Sequence, residues 1–223
     1  MAINQAVEAA VPSCAEAQAR RVATDGSATH PYGLALAEAS GPEAARDLAD
    51  AVHLLCSLYG RHPGLVELAL QHCPPGPVRD WLVVASAAFE RERLYLVRLS
   101  AAVGPLPSTP GAAESESALG HQRHAIETLA LSERNGCALG ATTAIVADWA
   151  ALRRVLDRAA TRMGVEVPDS SLPDGASIAA VIAVGVESLA ATRALHFGAD
   201  QLLLQNRGLL DLLEARASAR SDS

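Results

Sequence analysis

An all-α protein, built as a four-helix bundle of the ferritin-like or simple up-down kind, is what this sequence predicts, on three observations. Alanine is used far above the average and is the strongest helix former, while aromatic residues make up only 3% of the chain. Apolar residues recur at the 3.6-residue period along four segments. Prolines and glycines punctuate the chain between those segments, and no period-two pattern of a strand competes with them. Four amphipathic helices joined by enforced turns bury their stripes most simply against one another.

The elements follow in order. Residues 1–40 are Ala-rich but broken by Pro12, Gly26, Pro31 and Gly33, which predicts a loosely attached N-terminal arm with room for a short helix. The bundle domain spans 41–217. Ser40-Gly41-Pro42-Glu43 announces its first helix, 42–60: a capping residue, a proline at the first turn and an acid suited to the helix dipole. Its stripe is Ala45, Leu48, Ala49, Val52, Leu55, Cys56 and Tyr59. A short helical piece over 65–71 stops at Cys73-Pro74-Pro75-Gly76-Pro77. The second helix, 77–103, carries Trp81, Leu82, Ala85, Phe89, Glu92, Leu96 and Leu99 on one face. Three prolines stiffen the linker over 104–111.

The third predicted helix, 114–163, would be about 75 Å long if unbroken, and Asn135-Gly136 and Gly140 predict a bend or interruption around 135–140. The fourth, 176–216, carries Ile178, Ile182, Gly185, Leu189, His196, Ala199, Leu203, Asn206 and Leu210. A polar, disordered tail is expected over 218–223.

Composition narrows function by exclusion. All 18 basic residues are arginine, a usage that follows from GC-rich bacterial coding, and the net charge is −7. Nucleic-acid binding needs clustered positive charge, and the longest basic runs are Arg20-Arg21 and Arg153-Arg154, so no nucleic-acid partner is expected. No basic cluster flanks an apolar run, and no apolar run is long enough to span a bilayer, so no membrane partner is expected either. The start of the chain lacks the pattern of a signal peptide. Cys14, Cys56, Cys73 and Cys137 lie far apart without zinc-like spacing, which predicts free thiols and a cytoplasmic protein.

Polar residues that interrupt the apolar stripes are the only candidates for a site. They are Glu92 on the second helix, Glu133 on the third, and His196 and Asn206 on the fourth, with His53 at the edge of the first stripe. Treating neighbouring helices as antiparallel hairpins brings Glu133 level with Asn206 and His53, so Glu133 is expected to be buried and held by one or both. A buried carboxylate must find a partner or take up a proton. Two readings stay open: a hydrogen-bonded network that fixes helix register, or a ligand or metal site in the bundle core.

The metal reading can be weighed against ferritin-like di-iron bundles, which need two Glu-x-x-His motifs. The chain offers only Asp50-Ala51-Val52-His53 and a reversed His124-Ala125-Ile126-Glu127. No metal ligand, cofactor or catalytic residue is therefore assigned. No hydrolase elbow, phosphate loop or dinucleotide fingerprint occurs.

The run Val103–Glu116, the run Ser132-Glu133-Arg134-Asn135-Gly136-Cys137-Ala138-Leu139-Gly140 and the pair Asp148-Trp149 resemble an uncharacterised family of alphaproteobacterial, sphingomonad-type proteins. That resemblance covers most of the chain after residue 30 and implies no activity. The helix pattern is also similar to ferritin-like bundles, as architecture only. The functional expectation is a non-catalytic module that binds a protein partner or forms a homo-oligomer through an Ala/Leu-rich face. The alternative is a metal- or small-molecule-binding bundle, with redox chemistry as one form of it.

Overall fold

Caps and breakers set the helix ends. The computed structural model describes residues 13–222, and these form nine α-helices, one 3-10 turn at Ser27–Thr29 and no strand. The helices are α1 (Cys14–Asp25), α2 (Pro31–Ala37), α3 (Pro42–Tyr59), α4 (Leu65–His72), α5 (Pro77–Ala102), α6 (Ala112–Ala130), α7 (Cys137–Met163), α8 (Gly175–Gly185) and α9 (Leu189–Ser221).

Helices α3, α4 and α5 follow the expected segments, each of α3 and α5 starting on a proline whose missing N–H costs nothing at a helix start. The two long segments are each divided, and with α1, α2 and the short α4 nine helices stand among the described residues where four principal ones were expected. The third breaks at 131–136, a little before the expected 135–140, because Gly136 adopts a left-handed φ of 97° and caps a new helix. The fourth breaks between Gly185 and Leu189, where the Ser188 hydroxyl accepts the N–H of Ala191 and starts α9 afresh.

The expected arm is also corrected. Residues 1–12 of it lie outside the described residues. From Ser13 onward it is helical and packed: a capping box between Ser13 and Glu16 opens α1, and Gln18, Ser27, His30 and Leu36 are buried. Its period was illegible because α1 buries a glutamine rather than an apolar stripe. The Gln18 amide donates to the Gly140 carbonyl and the Thr143 hydroxyl of α7.

The expected disordered tail over 218–223 is likewise helix as far as Ser221, while Ser223 lies outside the described residues. The reason is ionic. Arg216 clamps Asp50 of α3 with Nε and Nη2 at 2.8–3.0 Å, and Arg220 spans Asp50 and Asp47 at 2.6 and 2.8 Å.

At the centre lies α7. Seventeen of its 27 residues are buried, on every side over Leu139–Val146 and on all but the Ala147, Ala150, Arg154 face beyond, and every other described helix touches it. Its closest neighbour is α9, which crosses it where Gly140 and Gly198 face the opposing backbone. A Cβ at Gly140 would run into the Leu195 carbonyl, and one at Gly198 into that of Cys137. One apolar core runs from Leu36 to Leu213 around this crossing.

Candidate functional site

The five predicted residues do not converge. Glu133 is exposed in the 131–136 loop, so the expectation of a buried carboxylate held by Asn206 or His53 is overturned. The helix period that placed it inside was carried across a break that the chain makes at Leu131. His53 is half-buried on α3, and its Nε2 donates to the Gly104 carbonyl at 2.7 Å, tying down the linker after α5. His196 is half-buried on α9 with its Nε2 3.7 Å from the Cys14 thiol.

Glu92 and Asn206 are buried as expected, at 3% and 0% exposure, but in separate networks. Asn206 accepts from the Tyr59 hydroxyl and donates to Asp148 at 2.8 Å. Asp148, itself only 1% exposed, also accepts the Ser27 N–H at 2.7 Å and the Ser27 hydroxyl at 2.6 Å. Burial and the negative charge of Asp148 both push the Tyr59 hydroxyl far up, so it remains a donor. Glu92 accepts from Trp149 Nε1 at 2.9 Å, from Arg153, and from Ser170 at 3.3 Å, while the other arm of Arg153 donates to the Pro168 carbonyl.

The two networks are joined by a chain step. Asp148 and Trp149 are consecutive on α7, about 100° apart around the helix, so one side chain reaches the N-terminal segment and the other reaches α5. The Trp149 ring is held edge-on by Tyr59 and Phe89, with centroids 5.5 and 5.2 Å away.

A third buried pair joins α4 to α5. Glu67 receives Arg93 at 2.8 and 3.0 Å, the Gly64 N–H at 2.8 Å and the Ser86 hydroxyl at 3.0 Å. Burial alone would raise the Glu67 carboxyl. The Arg93 guanidinium and the two further donors outweigh it and hold the group below the usual carboxylate range.

These networks tie helices together and leave little for a substrate, since their acceptors are already occupied within the chain. Among the described residues no group of three or more His, Cys, Asp or Glu side chains is placed to hold a metal ion.

One cavity of about 460 Å³ is different in kind. It opens where the end of α4, the start of α5, the 131–136 loop, the start of α7 and the end of α8 meet. Val78, Leu82, Ala130 and Leu139 form an apolar floor, and Gly185 lies tight against it, with Leu139 and Val78 occupying the space a side chain would need. His72, Cys73, Ser132, Glu133, Arg134 and Asn135 form the polar rim. Burial pushes the Cys73 thiol up, so it sits there protonated.

Residues 22–221 match the family model of a family of unknown function, DUF6975. The chain belongs to that family. No curated protein and no solved structure matches it. The matched span of this DUF6975 chain runs from the last turn of α1 into the final residues of α9, so it contains the three networks and the whole cavity.

Several residues that organise this family member were not among the candidate site residues read from its sequence: Asp148, Tyr59, Arg153, Ser27, Asp50 and Arg216. A signal existed for one of them. Asp148 is the lone charge inside the run Ala144–Leu152, where a solvated acid is out of place. Ser27 carried no such signal, because its role depends on a partner 121 residues away. No helix among the described residues is long and apolar enough to cross a membrane.

Proposed function

We propose that the protein is a non-catalytic helical module that assembles with a second copy of itself through the outer face of α5, in the cytoplasm. The carrying observation is that face. Val83, Val84, Leu94 and Val97 are 51%, 58%, 57% and 54% exposed, and at 100° per residue they share one side of the helix with exposed Ala87 and Ala101. On α7 and α9 part of the apolar surface is covered by α1 and α2, and the exposed Leu189, Phe197 and Leu204 of α9 are spread along the helix.

The stripe is self-complementary. A two-fold axis between Glu90 and Arg91 sets α5 antiparallel to its copy, with Val84 opposite Val97, Ala87 opposite Leu94, and Glu90 opposite Arg91 twice. Such an isologous contact closes on itself and stops at a dimer. One helix from each copy covers less than the roughly 1,600 Å² of a standard interface, so the dimer dissociates on dilution. The non-catalytic part of the reading is supported by the way the buried carboxylates are taken up by Ser27, Asn206, Trp149 and arginines. Four free thiols favour a reducing compartment.

Sedimentation velocity over a hundredfold concentration range tests this. The wild-type chain is expected to shift from monomer to dimer, Leu94→Glu to stay monomeric, and Leu204→Glu, at an exposed leucine of α9, to behave as wild type. A wild-type chain that remains monomeric throughout defeats the proposal.

A further inference from the structure

We infer that the cavity bounded by α4, α5, α7 and the 131–136 loop is a binding site for a small amphipathic anion, with an apolar body on the floor and a carboxylate head at Arg134. The inference does not rest on the dimer. The floor uses Val78 and Leu82, which lie on a different face of α5 from Leu94.

Three observations support the ligand class. The volume, about 460 Å³, lies within the roughly 300–1,000 Å³ typical of small-molecule sites. The floor is aliphatic, so an alkyl chain seated on it loses water without stranding a polar group of the protein. The rim presents a cation whose donors remain usable. The Arg134 side chain is on the rim, with its guanidinium carbon 5.5 Å from the Phe197 ring centre on α9, a cation–π contact that occupies no hydrogen-bond acceptor. Among the described residues no carboxylate stands within ion-pair distance of it, although Glu133 is adjacent in the chain and on the same rim. A guanidinium on the rim of an aliphatic pocket can take a carboxylate bidentately while the alkyl chain lies on the floor.

The Glu133 carboxylate on the rim adds selectivity. It repels dianionic head groups such as phosphate, and the aliphatic floor offers no partner to a second carboxylate at the far end of a chain, so a monoanion is favoured over a dianion of the same length.

Calorimetric titration of the full chain with octanoate, 1-octanol and the dicarboxylate suberate tests the assignment. Octanoate is expected to bind saturably at one site per chain, and octanol and suberate about tenfold more weakly or worse. Arg134→Gln, an exposed change, is expected to bring octanoate down to the level of octanol. Ala138→Phe, which fills the cavity from the first turn of α7, is expected to abolish both, with its melting temperature measured alongside to show that it folds. Leu94→Glu binds octanoate as wild type does, so a monomeric protein and an empty cavity are separate failures. Absence of octanoate binding, equal binding of octanol, or indifference to Arg134→Gln overturns the inference.

Discussion

Asp148 accepts three hydrogen bonds with no cation beside it, so the charge is carried entirely by the donors of Ser27 and Asn206. Asparagine in its place would turn an N–H₂ toward the Asn206 amide or the Ser27 N–H, and neither can accept. Asp148→Asn is expected to cost about 2–4 kcal/mol in chemical denaturation, most of it from the buried donors left without partners. Glu133→Gln and Glu133→Ala, by contrast, are both expected to fall within about 0.5 kcal/mol of wild type, since the side chain is in water. Glu67 adds a pH dependence. Its carboxyl is held below the ordinary value of 4.5, so the ionised, Arg93-bound form stabilises the fold above that pH. The contribution is lost as pH falls through the lower, folded-state value. Glu67→Gln is expected to flatten the decline of stability below pH 4.5, which denaturant midpoints measured across the acid range would show.

Helix pairing is controlled by two glycines at the crossing of α7 and α9. Gly140→Ala drives a methyl group into the Leu195 backbone carbonyl, which cannot rotate away as a side chain would, so the helices must part. The expected loss is at least about 3 kcal/mol in unfolding free energy. Gly120→Ala in α6 is the matched control: nothing lies near its added methyl, and the helix propensity of alanine is expected to stabilise by about 0.5–1 kcal/mol. Reading Gly140 from the sequence as a hinge was natural, because a glycine inside a helical pattern permits bending. It serves instead for close approach, and only the position of Leu195 distinguishes the two. Boundaries at prolines were legible for the opposite reason: Pro42 and Pro77 act within their own turn, so no distant partner is needed to read them. The candidate site was less legible. Glu92 and Asn206 were found because a polar residue on an apolar stripe is a local anomaly, whereas the cavity is made by five separate stretches of chain.

Across the whole molecule the feature with the widest reach is the position of α7, buried all round in its first half and touched by every other described helix. The segment before Gly41 belongs to the same packing. A chain starting at Gly41 is expected to leave Asp148 without two of its three donors and to lose cooperativity, visible as a broadened thermal transition and dye binding. The order of synthesis adds a further consequence. Six of the described helices are synthesised before the first residue of α7 is made, and each carries an apolar face shaped for a helix that does not yet exist. At about 5–20 residues per second, α1 waits several seconds for its place on the core. Until α7 and α9 emerge, the nascent chain is a set of unpartnered amphipathic helices, the kind of surface that chaperones hold.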